Sequence, residues 1–294
     1  MRTETILVVG GTGMLGEPVT RRLLRDGFGV RVLTRDVERA SAVLGPDVEV
    51  LAGEINDAAA IERALIGCTG VHISLSAGPD PTKIDRIEHR GTARLAALVA
   101  RHGIARLTYL SHGLADDASV IPEHRAKFQA EQAIHRSGVA YTIFKPSYFM
   151  ETLPRHIRGK LAIVMGRQPH PVHMVAADDF AAMVSRSFRT AEAMNRSFYV
   201  HGPEAITLPD GLRLYCALVD PGKRVVAAPL AVMSIADRLV MHGKLQGTLR
   251  LMEVMERMGE RGDASETDRV LGAATTTLRQ WCEAQRAQAS SNAR

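Results

Sequence analysis

The chain has 294 residues, 46% of them hydrophobic and 23% charged, a balance that argues against a disordered or fibrous protein and allows a sizeable buried core. Its net charge is +5, but lysines and arginines are scattered among aspartates and glutamates with no aromatic-laced basic stripe, so nucleic acid is not an expected partner. Cys68, Cys216 and Cys282 stand far apart and offer neither a metal knuckle nor a disulfide framework, which fits a reducing, cytoplasmic setting.

The first apolar stretch, residues 6–9, is too short for the core of a signal peptide, and no run approaches the roughly 20 apolar residues that a membrane helix needs. Residues 5–150 then alternate short β-rich runs with helical patterns. The spacing predicts strands at 6–9, 30–33, 48–52, 71–74, 106–111 and 140–145, with helices near 14–26, 58–65, 83–102 and 124–137. This is the pattern of βαβ units, and it predicts an α/β fold: a Rossmann-type doubly wound parallel sheet over residues 1–150. The loop at 113–122, directly after a strand and carrying Asp116, Asp117 and Pro122, is expected on the active-site rim of that sheet.

The first strand runs straight into Gly10-Gly11-Thr12-Gly13-Met14-Leu15-Gly16. In that order, strand, turn and helix start form a phosphate cradle. Gly10 allows the tight turn, Gly13 lets backbone approach a pyrophosphate, and Gly16 brings the helix close to the sheet with its free N–H groups toward the anion. The next strand ends in Leu33-Thr34-Arg35-Asp36, without the carboxylate that an NAD site usually places there to accept from the ribose 2′-hydroxyl. The planar guanidinium of Arg35 suits a 2′-phosphate and the adenine face, which predicts NADP(H) in preference to NAD(H). Asp36 is free to cap a following helix.

Residues 151–294 are expected to form a smaller, mostly helical lobe on the substrate side, packed on the first and not joined to it by a linker. Its elements are short strands around 161–165 and 197–201, a helix starting at Asp178 or Asp179, another near 209–219, a helical stretch over 230–259, and a last helix over 265–287 before a frayed tail at 289–294. Met233, Met241, Met252, Met255 and Met258 suit a core or an oligomer interface, such as that of a homodimer, better than a lipophilic pocket. The basic run Arg155–Lys160 is expected to face water. His170 and His173 flank Pro171 with no carboxylate or cysteine at ligand spacing, so no metal site is expected.

Together with Thr34-Arg35, the glycine spacing resembles the extended and atypical short-chain dehydrogenase/reductases, in particular their NmrA-like group. The stretch from Ser137 through Tyr141 to Lys145-Pro146, the loop Ser147–Glu151 and the helix start at Val175–Ala181 are similar to segments of that group, and the likeness spans about residues 5–190. It implies cofactor contacts at Ser74, Pro146 and Phe149, and a catalytic Ser and Tyr-x-x-x-Lys set matched here by Ser111 and Lys127. Glu123 stands where the tyrosine would be, which removes the usual proton relay. On the helical wheel Lys127 borders the buried stripe beside Glu131, one turn on, so that the pair is either a surface ion pair or a carboxylate holding Lys127 for cofactor hydroxyls. Tyr148 offers a substitute phenol, and His112 and His124 offer imidazoles. The resemblance implies an NADPH-dependent reductase acting on a small or medium carbonyl compound, quinone or enone. The alternatives are a dinucleotide-binding sensor without turnover, or an isomerase or epimerase.

Overall fold

The computed structural model describes residues 4–241, 243 and 245–292. Seven parallel strands form the central sheet: β1 (Thr5–Val9), β2 (Gly29–Thr34), β3 (Val48–Ala52), β4 (Gly70–Ile73), β5 (Arg106–Leu110), β6 (Tyr141–Pro146) and β10 (Arg196–Val200), in the order β10-β6-β5-β4-β1-β2-β3. The order reverses beside β1, which pairs with β2 on one side and β4 on the other. A crevice opens at such a switch point, beyond the carboxyl ends of the strands.

The strands are apolar almost without interruption because both faces are covered. Ile6 and Val8 turn to a core with α1 (Gly16–Arg25) and α7 (Ala177–Ser187), while Leu7 and Val9 turn to a second core with α3 (Ala58–Leu65), α5 (Thr92–Arg101) and α6 (Pro122–Ser137). The alternation follows from the two-residue period of a strand. In the first core Phe180 meets Phe144 and Phe149 edge-on, each at 5.5 Å between ring centroids, which fastens the loop after β6 to the sheet.

One helix was not legible in the sequence: α2 (Val37–Leu44), capped by the Asp36 carboxylate, which accepts from the N–H of Arg39 at 3.0 Å. Over the expected 83–102 span, α4 (Pro81–Ile84), a π-helical stretch at Asp85–Gly91 and α5 follow one another without leaving helical backbone angles. After β6 the chain builds a lobe around β7 (Ile157–Arg158), β8 (Leu161–Met165) and β12 (Arg224–Ala228), with α8 (Leu208–Leu218), α9 (Leu230–Ala236) and α10 (Gln246–Met258). Two further short strands, β9 (Val172–His173) and β11 (Ala205–Ile206), pair antiparallel. The chain returns to the main sheet after residue 150, through α7 against α1 and β10 beside β6. The single helix expected over 265–287 is instead two, α11 (Ser265–Leu271) and α12 (Leu278–Asn292), parted at Gly272, whose φ is +80°. Of the expected frayed tail, residues 289–292 are helical, and 293–294 lie outside the described residues.

Candidate functional site

At the end of β1 the backbone turns at Gly10 with φ +90°, and a Cβ there would sit 2.1 Å from the carbonyl oxygen of Ser74. A Cβ at Gly16 would lie 2.0 Å from the Gly10 oxygen, and one at Gly11 would lie 2.8 Å from Val32. These three glycines let turn, helix and sheet close on one another. Gly13 differs, because the nearest atom to its Cβ position is the Gly10 oxygen at 3.2 Å. Its side-chain space is open to the cleft. Helix α1 starts from Leu15, which supplies no side-chain cap; Pro18 has no N–H and the Glu17 N–H donates to the Gly13 oxygen at 2.9 Å, so the N–H groups of Leu15 and Gly16 are those left for a ligand.

A cleft of about 800 Å³ runs along the carboxyl ends of the strands. Gly10, Thr12, Gly13, Met14 and Leu15 line it, as do Thr34, Arg35 and Ser74; Gly11 and Gly16 do not. Ser111, Lys127, Pro146, Tyr148 and Phe149 line it as well. At the β2 end Asp36 is committed to capping α2, and the Thr34 hydroxyl accepts from its N–H at 3.2 Å. Arg35 is joined there by Arg39, and neither guanidinium has an ion-pair partner among the described residues. Arg39 was missed because α2 was missed, although an aspartate three residues ahead of it is a helix-start signal.

Lys127 is buried, and its Nζ donates to the carbonyls of Leu75 at 3.0 Å and Leu110 at 3.2 Å. Its carboxylate partner is not Glu131 but Glu88, at 3.3 Å, carried in by the π-helical stretch. Burial alone would lower the ammonium's pKa; Tyr109 and Glu88 beside it outweigh that and hold it above the usual lysine value. Glu131 instead accepts from the Ser111 hydroxyl and pairs with Lys145 at 2.9 Å. The expected i,i+4 pair is therefore absent, because each partner meets an opposite charge or a donor from another element.

His112 and His124 stack with ring centroids 4.4 Å apart. Burial pushes His112 down to about 4 and His124 down to about 3, so at neutral pH neither holds the extra proton that the sequence reading allowed. The Tyr148 hydroxyl lies 2.8 Å from Nε2 of His156, whose Nδ1 lies 2.9 Å from the Ile163 carbonyl. A carbonyl only accepts, so His156 carries its proton on Nδ1 and takes the phenol's hydrogen bond at Nε2. The Tyr148 proton thus points into the protein wall, and burial raises its pKa to about 12.

At the far end, Leu251, Met255, Arg155 and Glu260 line the cleft, so part of the methionine-rich stretch faces the cavity while Met252 is buried in the lobe's core. Glu260 accepts from the Ser147 hydroxyl, from Nδ1 of His173, and from the His173 backbone N–H at 2.7 Å. His201 completes a group whose possible ligand atoms lie within 4.8 Å of one another, and which could hold a metal ion. No spacing along the chain points to it, since the residues come from three distant segments. Hydrogen bonds already engage both oxygens of this carboxylate, so its geometry is explained without a metal.

The model of the NmrA-like family matches residues 2–280. The chain belongs to the NmrA-like family. Within reach of it is the (4-alkanoyl-5-oxo-2,5-dihydrofuran-3-yl)methyl phosphate reductase of Streptomyces griseus, 35% identical over 69% of each chain. The photosystem II assembly factor Ycf39 of Trieres chinensis is 23% identical over 80% of this chain and 75% of its own. Triphenylmethane reductase of Citrobacter, solved as a complex with NADP(H), shares the fold with a TM-score of 0.74 at 18% identity, covering 96% of this chain and 99% of its own. No helix among the described residues is long and apolar enough to cross a membrane.

Proposed function

We propose that this NmrA-like protein holds NADP(H) along the cleft and reduces a small or medium organic substrate: a carbonyl compound, a quinone or a conjugated alkene. The observation that carries this reading is one continuous cleft with three matched stations. Arg35 and Arg39 stand ready for a 2′-phosphate, the open side of Gly13 over the uncapped α1 receives a diphosphate, and Lys127, Tyr148 and Phe149 wall the nicotinamide end. When bound, the reduced nicotinamide supplies a hydride. Lys127 keeps a positive charge under that end and ties the segments after β4 and β5 together through Leu75 and Leu110. Leu251 and Met255 suit an apolar substrate body, and Arg155, without an ion-pair partner among the described residues, suits an anionic group on it. The Streptomyces relative, whose named substrate carries a phosphate, and the NADP(H) complex of the Citrobacter enzyme support this reading.

Calorimetry with NADPH and NADH tests the cofactor, and loss of reduced-nicotinamide absorbance with quinones, aldehydes and enones tests the reaction. Tight NADPH binding with no oxidation across that panel would favour the second reading, a dinucleotide-binding regulator. Glu123 at the tyrosine position and the assembly-factor name of the Trieres relative are what favour it. A homodimer would cover the exposed Val232, Ile235, Leu239 and Val240 around α9, which sedimentation would detect.

A further inference from the structure

At the nicotinamide end of the cleft the charges set into the wall come in matched pairs. Lys127 lies 3.3 Å from Glu88 and Lys145 lies 2.9 Å from Glu131, so each pair is close to neutral as a whole. Burial lifts the Tyr109 phenol well above its usual value, and the lowered His112 and His124 are uncharged at neutral pH. Glu123 is left over. It stands in the first turn of α6, one helical turn before Lys127, and lines the cleft. Among the described residues it has neither a hydrogen-bond nor an ion-pair partner, and its charge is felt by Lys127, Glu88 and Tyr109.

An acid in the first turn of a helix also meets the partial positive charge of the helix N-terminus. That accounts for a carboxylate at this position, but such a role is indifferent to what the cavity holds. The other carboxylates of the cleft are placed differently. Glu260 accepts from Ser147 and His173 at the far end, and Glu54 follows β3 at the adenosine end. The cations of the cleft do not answer Glu123 either. Arg35 and Arg39 stand at the β2 end, Arg155 lies at the far end and Arg261 follows Glu260, and Arg86 is exposed, so water screens its field. One unmatched negative charge therefore remains where the cofactor changes its own charge. The reduced nicotinamide ring is neutral, and the oxidised ring carries one positive charge once its hydride has left with the bonding pair.

We infer that Glu123 is the counter-charge to the oxidised nicotinamide, and that it favours NADP+ over NADPH relative to a cleft without it. The inference rests on the proposed NADP(H) binding and is independent of which substrate is reduced. Glu123 acts through its charge and moves no proton. A couple whose oxidised member is favoured has a lower reduction potential, so NADPH held in this cleft becomes a stronger hydride donor.

The test is calorimetry of NADP+ and of NADPH on the full chain, without substrate, in the parent protein and in Glu123→Gln, Glu123→Asp and Glu54→Gln. Removing the charge should weaken NADP+ binding about fivefold relative to NADPH binding. Glu123→Asp, which keeps the charge, and Glu54→Gln, which removes one elsewhere, should both stay within about twofold of the parent ratio. A role confined to the helix start would lower the melting temperature of Glu123→Gln and leave the ratio of the two affinities untouched. That result overturns the inference and leaves NADP(H) binding standing. A ratio altered as much in Glu123→Asp or in Glu54→Gln as in Glu123→Gln overturns it equally, because the effect would then not follow the charge at this position. A parent that binds neither NADP+ nor NADPH overturns the cofactor reading, and the inference with it. Should Glu123→Gln prove misfolded by circular dichroism, Glu123→Ala, which removes the same charge, decides the outcome.

Discussion

The ammonium of Lys127 lies 3.3 Å from the carboxylate of Glu88, and the two side chains are 6% and 1% exposed. A pair so shielded costs free energy to desolvate, and removing one member strands the other charge. Lys127→Met should therefore destabilise the protein by about 3 kcal/mol or more in urea unfolding. The double variant Lys127→Met/Glu88→Leu should be more stable than that single variant. A double variant no more stable than Lys127→Met would show that the pair does not act as a unit.

The glycines of the first turn should separate into two kinds. Gly16→Ala puts a methyl 2.0 Å from a backbone oxygen, and neither side can yield without moving β1 from α1. It should lower the thermal midpoint by many degrees or prevent folding. Gly13→Val meets only the Gly10 oxygen, 3.2 Å from the Cβ position, which a shift of a few tenths of an ångström relieves, and it leaves no room for a diphosphate. It should melt near the parent temperature, by circular dichroism, and lose dinucleotide binding in calorimetry.

Arg35 and Arg39 bear on which dinucleotide is taken. Arg35→Ala should weaken NADPH binding about tenfold, equivalent to about 1.4 kcal/mol, and Arg35→Ala/Arg39→Ala further still. NADH affinity should change little in both. Equal losses for the two dinucleotides would place the guanidiniums elsewhere than on a 2′-phosphate.

Acid should destabilise the fold well above the usual carboxylate range. His72 is wholly buried, with Nδ1 2.8 Å from the Thr108 hydroxyl, and burial pushes it down to about 3. His112 and His124 are displaced in the same direction. All three stay neutral in the fold while the unfolded chain takes up protons near pH 6.5, so the unfolded state binds more protons and stability rises with pH. It is complete above about 6.5 and is lost as pH falls toward about 3, with about 1.4 kcal/mol per pH unit from His72 alone. Urea midpoints at about pH 7.5 and pH 5 check this, and equal midpoints would refute it.

The sheet could be read from the sequence because strands buried on both faces are written as unbroken apolar runs, as Ile6–Val9 is. Helix α2 could not, since eight residues with only Ala40 and Leu44 buried carry too little periodicity. The last helix was read too long because Leu271 and Leu278 are both core residues, and their spacing continues a helical stripe across the loop at Gly272. In the site, the glycine turn is local and therefore visible. Glu88 and Glu260 come from elements distant in sequence from Lys127 and His173, and no spacing rule connects them. Glu131 looked like the partner of Lys127 because a sequence shows neighbours only along one helix.

The late arrival of β10 and α7 has a bearing on how this protein can be cut. A fragment ending near residue 150 would leave the backbone of β6 bare along one edge and strip the Phe180 and Val184 side chains from α1 and the sheet. Such an edge recruits other strands, so the excised half should aggregate instead of standing alone as a portable nucleotide-binding module. Any transplant or circular permutation of this scaffold has to carry the lobe along, because the route to the seventh strand runs through it.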